Sequence, residues 1–364
     1  MNLHKNRIFI ISGILIFFLL SIIFTLGMFK NTQITVFAMW DSISLLIVFS
    51  SINLFYIAFI NIGNPSKQFS LYKIIWLQEM VVILGVFGAI LGLLFMFFAI
   101  VNLQNPSVDI AAKLGGSLAV SIITIVYALL GAFSFYLLEK YIYLNKNNTI
   151  TPKIKEPLGG FKLSSLINIS VFGFIFGMCY FLASSSSGVS IKDSIVYINK
   201  IFIIVIILIF ILFYKGDSFF NLFKSLFCYF TDDEKNIRYN IIYIQNIKKV
   251  LGVLFSITLI IVPILLWGGM SMGAGELIDS PIENYESNIL PFISIRNTIY
   301  YSYWSCIAII LLSLLEGSQV NKLYIQTGET INFDRYYALK FLLAPMFLLY
   351  LYIGFSTILA FVAI

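Results

Sequence analysis

The sequence predicts an all-α polytopic integral membrane protein with about nine transmembrane helices, arranged as two parallel four-helix repeats plus one C-terminal helix. Three observations carry the prediction. Of 364 residues, 60% are hydrophobic and only 11% charged, whereas a soluble domain is about a quarter charged. Nine long apolar stretches follow one another with short polar connections. A pattern of residues also recurs without gaps about half a chain apart.

The stretches cover residues 8–28, 42–62, 81–101, 114–138, 166–183, 195–214, 250–267, 298–315 and 341–364. A bilayer-spanning helix takes roughly 20 apolar residues, so each is read as one span. The first is too long for the apolar core of a signal peptide and is read as a retained anchor. Apart from Lys200, none of the stretches contains Asp, Glu, Lys or Arg. Charges are therefore expected in the connections, and any group that titrates inside the bilayer is expected from a partner.

Basic residues cluster before the first stretch and after the second, fourth, sixth and eighth. The sixth connection holds Lys215, Lys224, Lys235, Arg238, Lys248 and Lys249. Glu276, Asp279, Glu283 and Glu286 follow the seventh stretch instead. The positive-inside rule places the N-terminus in the cytoplasm and the C-terminus outside a cell (inner) membrane. Topology thus accounts for the net charge of +6, so lipid is the expected contact and nucleic acid is not.

Three cysteines without paired spacing and a single histidine, His4, exclude a disulfide framework, a zinc site and histidine-based triads. No P-loop and no Gly-x-Ser-x-Gly run is present. Neither enzymatic activity nor a cofactor or metal is expected.

Tyr72, Ile74, Ile75, Gln78, Leu84, Gly85 and Val86 recur as Tyr239, Ile241, Ile242, Gln245, Leu251, Gly252 and Val253, about 167 residues later. Self-similarity at half the chain length marks a duplication. It divides the chain into a first four-helix unit at 1–145, a cytoplasmic linker at 146–165, a second, degenerate unit at 166–320, and a loop with the ninth helix at 321–364.

Candidate functional residues lie on the third and fourth helices. Gly85, Gly88, Ala89 and Gly92 share one helical face, as do Ser121, Thr124, Ala128 and Gly131 on the next helix. Small residues let helices approach closely. One reading is packing, with hydroxyls bonded to the preceding turn; the other is a narrow polar route. Pore-lining candidates are Gly85, Gly88, Ala89, Gly92, Ser121, Thr124 and Tyr127, with Ser256 and Thr298 in the second copy.

The run from Gly85 to Gly92, the following Leu103, Asn105 and Pro106, and the helix containing Ser121, Thr124 and Ala128 resemble the third and fourth helices of the MotA/TolQ/ExbB proton-channel family. Asp41-Ser42-Ile43-Ser44-Leu45-Leu46-Ile47-Val48 is similar to the start of that family's second helix. The resemblance implies an oligomeric subunit of an ion-driven, energy-transducing complex. It also implies a single-span MotB/TolR/ExbD-like partner whose membrane aspartate titrates. Ala89 and Ile125 stand where the family has pore threonines, Ala128 replaces its final glycine, and the connection between the second and third helices is short. A multipass transporter or membrane scaffold without channel activity is the alternative.

Overall fold

The computed structural model describes residues 11–20, 22–23, 41–59, 67–101, 109–144, 160–187, 205, 207–211, 219–229, 233–276, 285–329, 331 and 334–362. Within them the chain is helical. The elements are α1 (Ile11–Leu20), α2 (Ser42–Ala58), α3 (Lys67–Val101), α4 (Asp109–Leu144), α5 (Leu163–Ser187), α6 (Phe219–Lys224), α7 (Glu234–Glu276), α8 (Tyr285–Thr327) and α9 (Ala344–Val362), the last preceded by a π-helical stretch at Leu339–Leu343. One short antiparallel pair joins β1 (Gly160–Phe161) to β2 (Cys228–Tyr229).

Local chemistry sets several helix ends. Asp41 caps α2, its carboxylate accepting from the Ile43 and Ser44 amides at 3.3 and 3.0 Å, which satisfies donors that have no partner within the helix. Gly328, at φ +73°, stops α8, its amide donating to the Tyr324 carbonyl at 2.8 Å. A left-handed residue at that place suits glycine because it has no Cβ to clash. At the start of α7, Glu234 pairs with Arg238 one turn on at 2.9 Å, an exposed contact of small energetic weight.

Among the described residues, five helices are long and apolar enough to cross a membrane: Gln68–Phe98, Leu118–Leu144, Leu163–Leu182, Glu234–Leu265 and Ser294–Thr327. Shorter apolar helices occupy Ile11–Leu20, Ser42–Ala58 and Leu339–Ile353. The expected sixth span, 195–214, lies mostly outside the described residues, of which 205 and 207–211 are helical.

The helices outrun the apolar stretches that predict them. At 1.5 Å per residue, the 35 residues of α3 extend about 52 Å, and the 43 residues of α7 and of α8 about 64 Å. A hydrocarbon core is only about 30 Å thick. Residues 67–80, expected as a connection, are the first turns of α3, and 234–249 are the first turns of α7. Charges assigned to loops are consequently on helices. Lys73, Glu79, Glu139, Lys248, Arg296 and Glu316 are all buried. The fourth and eighth apolar stretches end directly before Glu139 and Glu316, but a helix does not stop there when a neighbouring helix covers and pairs the charge.

Helix α3 is the centre of the bundle, with 94% of its apolar segment buried against 11% for α5. It packs on α4, α8 and α2, while α7 packs on α8 and α9, and α5 lies on α2. A helix apolar on every side requires such a position. Rings join α3 to α8: Phe69 stacks on Tyr324 at 3.8 Å, Phe87 meets Tyr303 at 5.3 Å, and Phe98 meets Tyr300 at 6.2 Å. Numbers rise along α3 as they fall along α8, so the two helices are antiparallel. Between these contacts the Trp76 indole donates to the Ser313 carbonyl at 3.0 Å. Gly317 makes room for it, since a Cβ there would lie 2.9 Å from the indole nitrogen. Outward, Leu163, Ile167, Phe174 and Phe181 of α5 and Val253, Ile257, Ile260 and Ile264 of α7 are exposed. Apolar surface on that scale suits lipid better than water.

Candidate functional site

Three helices and the approach to α9 bring ionisable groups together just beyond the apolar segments. Glu79 precedes the apolar run of α3 by two residues, Lys248 precedes that of α7 by two, and Glu316 follows that of α8 directly. Lys248 Nζ is 2.7 Å from Glu316 Oε2 and 3.7 Å from Glu79 Oε1. The second Glu316 oxygen accepts from Gln245 Nε2 at 2.8 Å. Lys248 Nζ also lies 4.9 Å from the centre of the Tyr337 ring, and the Tyr337 hydroxyl donates to the Lys248 carbonyl at 2.6 Å. Side chains of Glu79, Lys248 and Glu316 are 3%, 4% and 1% exposed.

These groups line a cavity of about 300 Å³, completed by Lys249 and Asp334. Lys249 is exposed and Asp334 half-exposed, which marks the open side. Among the described residues Glu79 Oε1 accepts no hydrogen bond, and Lys248 is beyond hydrogen-bond reach of it. A buried acceptor left so is costly. Charges buried in pairs within a membrane protein mark ion and proton paths.

A similar pair lies alongside. Gln78 Nε2 donates to Glu139 Oε2 at 3.1 Å, and Arg335 pairs with the same carboxylate. Each Glu thus receives one amide and one cation, and the two glutamines are the ones 167 residues apart in the sequence.

The predicted pore residues meet elsewhere, at the α2–α3–α4 contact. A Cβ at Gly85 would lie 2.1 Å from Ala128 Cβ, and one at Gly88 would lie 2.6 Å from Thr124 Cγ2 and 3.3 Å from Ile47. Ala89 is fully buried and its carbonyl accepts from Ser121 Oγ at 2.6 Å. Gly92 is half-buried on the same helix. Ser121 also bonds the Tyr350 hydroxyl of α9, a partner the sequence did not single out. Thr124 Oγ1 lies 2.5 Å from Ser44 Oγ and 2.8 Å from the Val120 carbonyl. Tyr127 is buried edge-on against Phe17 at 6.3 Å.

The second-copy candidates are not part of this group. Ser256 Oγ is 2.9 Å from both the Gly252 and Phe341 carbonyls, and Thr298 donates to the Ser294 carbonyl at 2.9 Å. Thr124, Ser256 and Thr298 therefore all bond to the preceding turn, as the packing interpretation expects.

Asp41, expected in an outside connection, is drawn to the level of Thr124, because Ser44 donates to its carboxylate and shares a hydrogen bond with Thr124. Thr124 is ten residues into the fourth apolar stretch, about 15 Å down the helix. A carboxylate of this chain thus lies near the middle of that stretch. Cys179 lies beside it, its thiol 3.8 Å from the Ile43 carbonyl. The three cysteines are unbridged, and no group of three His, Cys, Asp or Glu among the described residues is arranged to hold a metal ion.

Sequence reasoning passed over Glu79, Lys248 and Glu316 because each ends an apolar run. The available signal was spacing: Gln245 and Lys248 are one turn apart on one face of a continuous helix. No protein-family model, no curated protein and no solved structure matches the chain.

Proposed function

We propose that the chain is a multipass subunit of an ion-driven, energy-transducing complex of MotA/TolQ/ExbB type in the inner membrane. One observation carries this. The three segments that resemble the family meet at one point, where a Cβ at Gly88 would lie 2.6 Å from Thr124 and 3.3 Å from Ile47, and Ser44 shares a hydrogen bond with Thr124. In this proposal the chain is a duplicated unit, supported by the matching Gln78–Glu139 and Gln245–Glu316 bonds. The N-terminus is cytoplasmic and the C-terminus outside, the subunits form an oligomer, and a single-span partner brings a membrane aspartate. Asp41, Ser44 and Thr124 supply this chain's own hydrogen-bonded polar groups near the middle of the bilayer.

Affinity purification from native membranes tests the assembly: a single-span protein with a membrane aspartate is expected to copurify, and its absence refutes the proposal. With the complex in liposomes, Thr124→Val removes the hydroxyl bonded to Ser44. A hydrogen bond contributes about 0.5–1.5 kcal/mol, so proton flux is expected to fall roughly two- to tenfold. Unchanged flux removes Thr124 from the route.

A second proposal, a multipass transporter, is favoured by a separate observation. The cavity lies between Glu79 of the first half and Gln245, Lys248 and Glu316 of the second, and membrane transporters commonly place their sites between repeats. Solute uptake by the chain alone, without a partner, is its distinguishing result.

A further inference from the structure

We propose that Glu79 is a proton-binding carboxylate supplied by this chain itself, exchanging its proton with water on the side where Lys249 lies. The inference needs no partner protein and no ring, and so stands apart from the complex proposed above.

The geometry separates the two glutamates of the cavity. Glu316 is fully engaged, one oxygen on Lys248 and the other on Gln245. Glu79 is 3.7 Å from the same ammonium, and its Oε1 accepts no hydrogen bond from the described residues. Lys248 is therefore committed to Glu316, and Glu79 is left as a buried carboxylate with an acceptor oxygen unused. A buried carboxylate with an unsatisfied acceptor oxygen is stabilised by taking up a proton there.

Of the charged neighbours, Lys248 favours the ionised form of Glu79 but is held closer by Glu316, at 2.7 against 3.7 Å. The cavity carries three carboxylates, Glu79, Glu316 and Asp334, against two ammonium groups, Lys248 and Lys249. Lys249 is exposed, where solvent screens it. Tyr72, on α3, interacts electrostatically with both Glu79 and Glu316, and Tyr337 presents its ring to Lys248. From α4, Glu139 is already matched by Arg335. Lys73, a buried lysine of α3, lies over the rings of Phe59 and Phe69 instead. The interior is thus one positive charge short, and a proton on Glu79 Oε1 supplies it without disturbing the Lys248–Glu316 pair. The described acidic residues form no metal-holding group, which favours a proton over a metal ion.

Infrared difference spectroscopy on the full-length protein in lipid nanodiscs, stepped through pH in potassium buffer, tests this. A protonated-carboxyl stretch is expected that disappears as pH rises, is lost in Glu79→Gln, and persists in Glu139→Gln. Glu79→Asp, which keeps the carboxyl, is expected to shift the band rather than abolish it, and serves if Glu79→Gln does not fold. A band unchanged in both Glu79 variants, or no such band in the parent protein, overturns the proposal. Loss of the band on replacing potassium with sodium also overturns it, by assigning the carboxylate to a metal cation.

Discussion

Replacing Lys248 with methionine keeps the length of the side chain but removes the only ammonium within ion-pair distance of Glu79 and Glu316 among the described residues. At an effective dielectric constant near 20, its attraction to the Glu316 carboxylate at 2.7 Å is about 6 kcal/mol, and to Glu79 at 3.7 Å about 4 kcal/mol once that carboxyl has lost its proton. Desolvation of the three groups offsets most of that. What remains after one partner is deleted is the penalty of charges stranded in the interior, about 3–5 kcal/mol. That is a large part of the about 5–15 kcal/mol that holds an ordinary protein folded. Detergent-solubilised Lys248→Met is therefore expected to unfold at a markedly lower sodium dodecyl sulfate concentration, followed by helical circular dichroism. Adding Glu316→Gln removes one stranded charge while the amide can still bond Gln245. The double variant should recover about 1–3 kcal/mol of the loss, the scale of coupling between contacting residues. Acidification should shrink the Lys248→Met deficit, because protonation neutralises the carboxylates it exposes to one another. A loss no greater than the about 1 kcal/mol of a solvent-exposed pair, or a double variant worse than the single one, refutes the reasoning.

Two further outcomes follow from the α2–α3–α4 contact. Gly85→Ala places a Cβ 2.1 Å from Ala128 Cβ, so the helices must part, at a cost of about 1–3 kcal/mol. Gly85→Ala with Ala128→Gly should restore stability to within the about 1 kcal/mol that glycine costs in a helix, and the same unfolding assay decides it. Asp41→Ala removes the cap of α2 and should cost about 0.5–2 kcal/mol, whereas Asp41→Asn, another good capping residue, should retain most of the stability; equal losses in both would show that charge rather than capping matters there.

The helical class and the approximate positions of the long apolar segments were legible in composition and apolar run length alone, because hydrophobicity is a property each residue carries regardless of its neighbours. So was the close approach at Gly85 and Gly88, since a missing side chain leaves space in any packing. The positions of the charges were not legible. Glu79, Lys248 and Glu316 each border an apolar run, and a run-based reading ends the helix where the charge begins. Whether a charged residue is a solvated loop or a buried helical pair depends on what another helix places opposite it. Here the opposing groups are about 70 and 170 residues away in sequence.

The glycine–hydroxyl face shows the same division. Spacing alone put Ser121 and Thr124 on one side of α4, but not the fact that Ser44 and Tyr350 complete their hydrogen bonds. By itself the sequence determined that this chain is a bundle of long apolar helices, because the energy of burying apolar surface is nearly additive over residues. Only the tertiary structure decided where its ionisable groups lie, because electrostatic and hydrogen-bond energies belong to pairs, and the pairs form only when the helices pack.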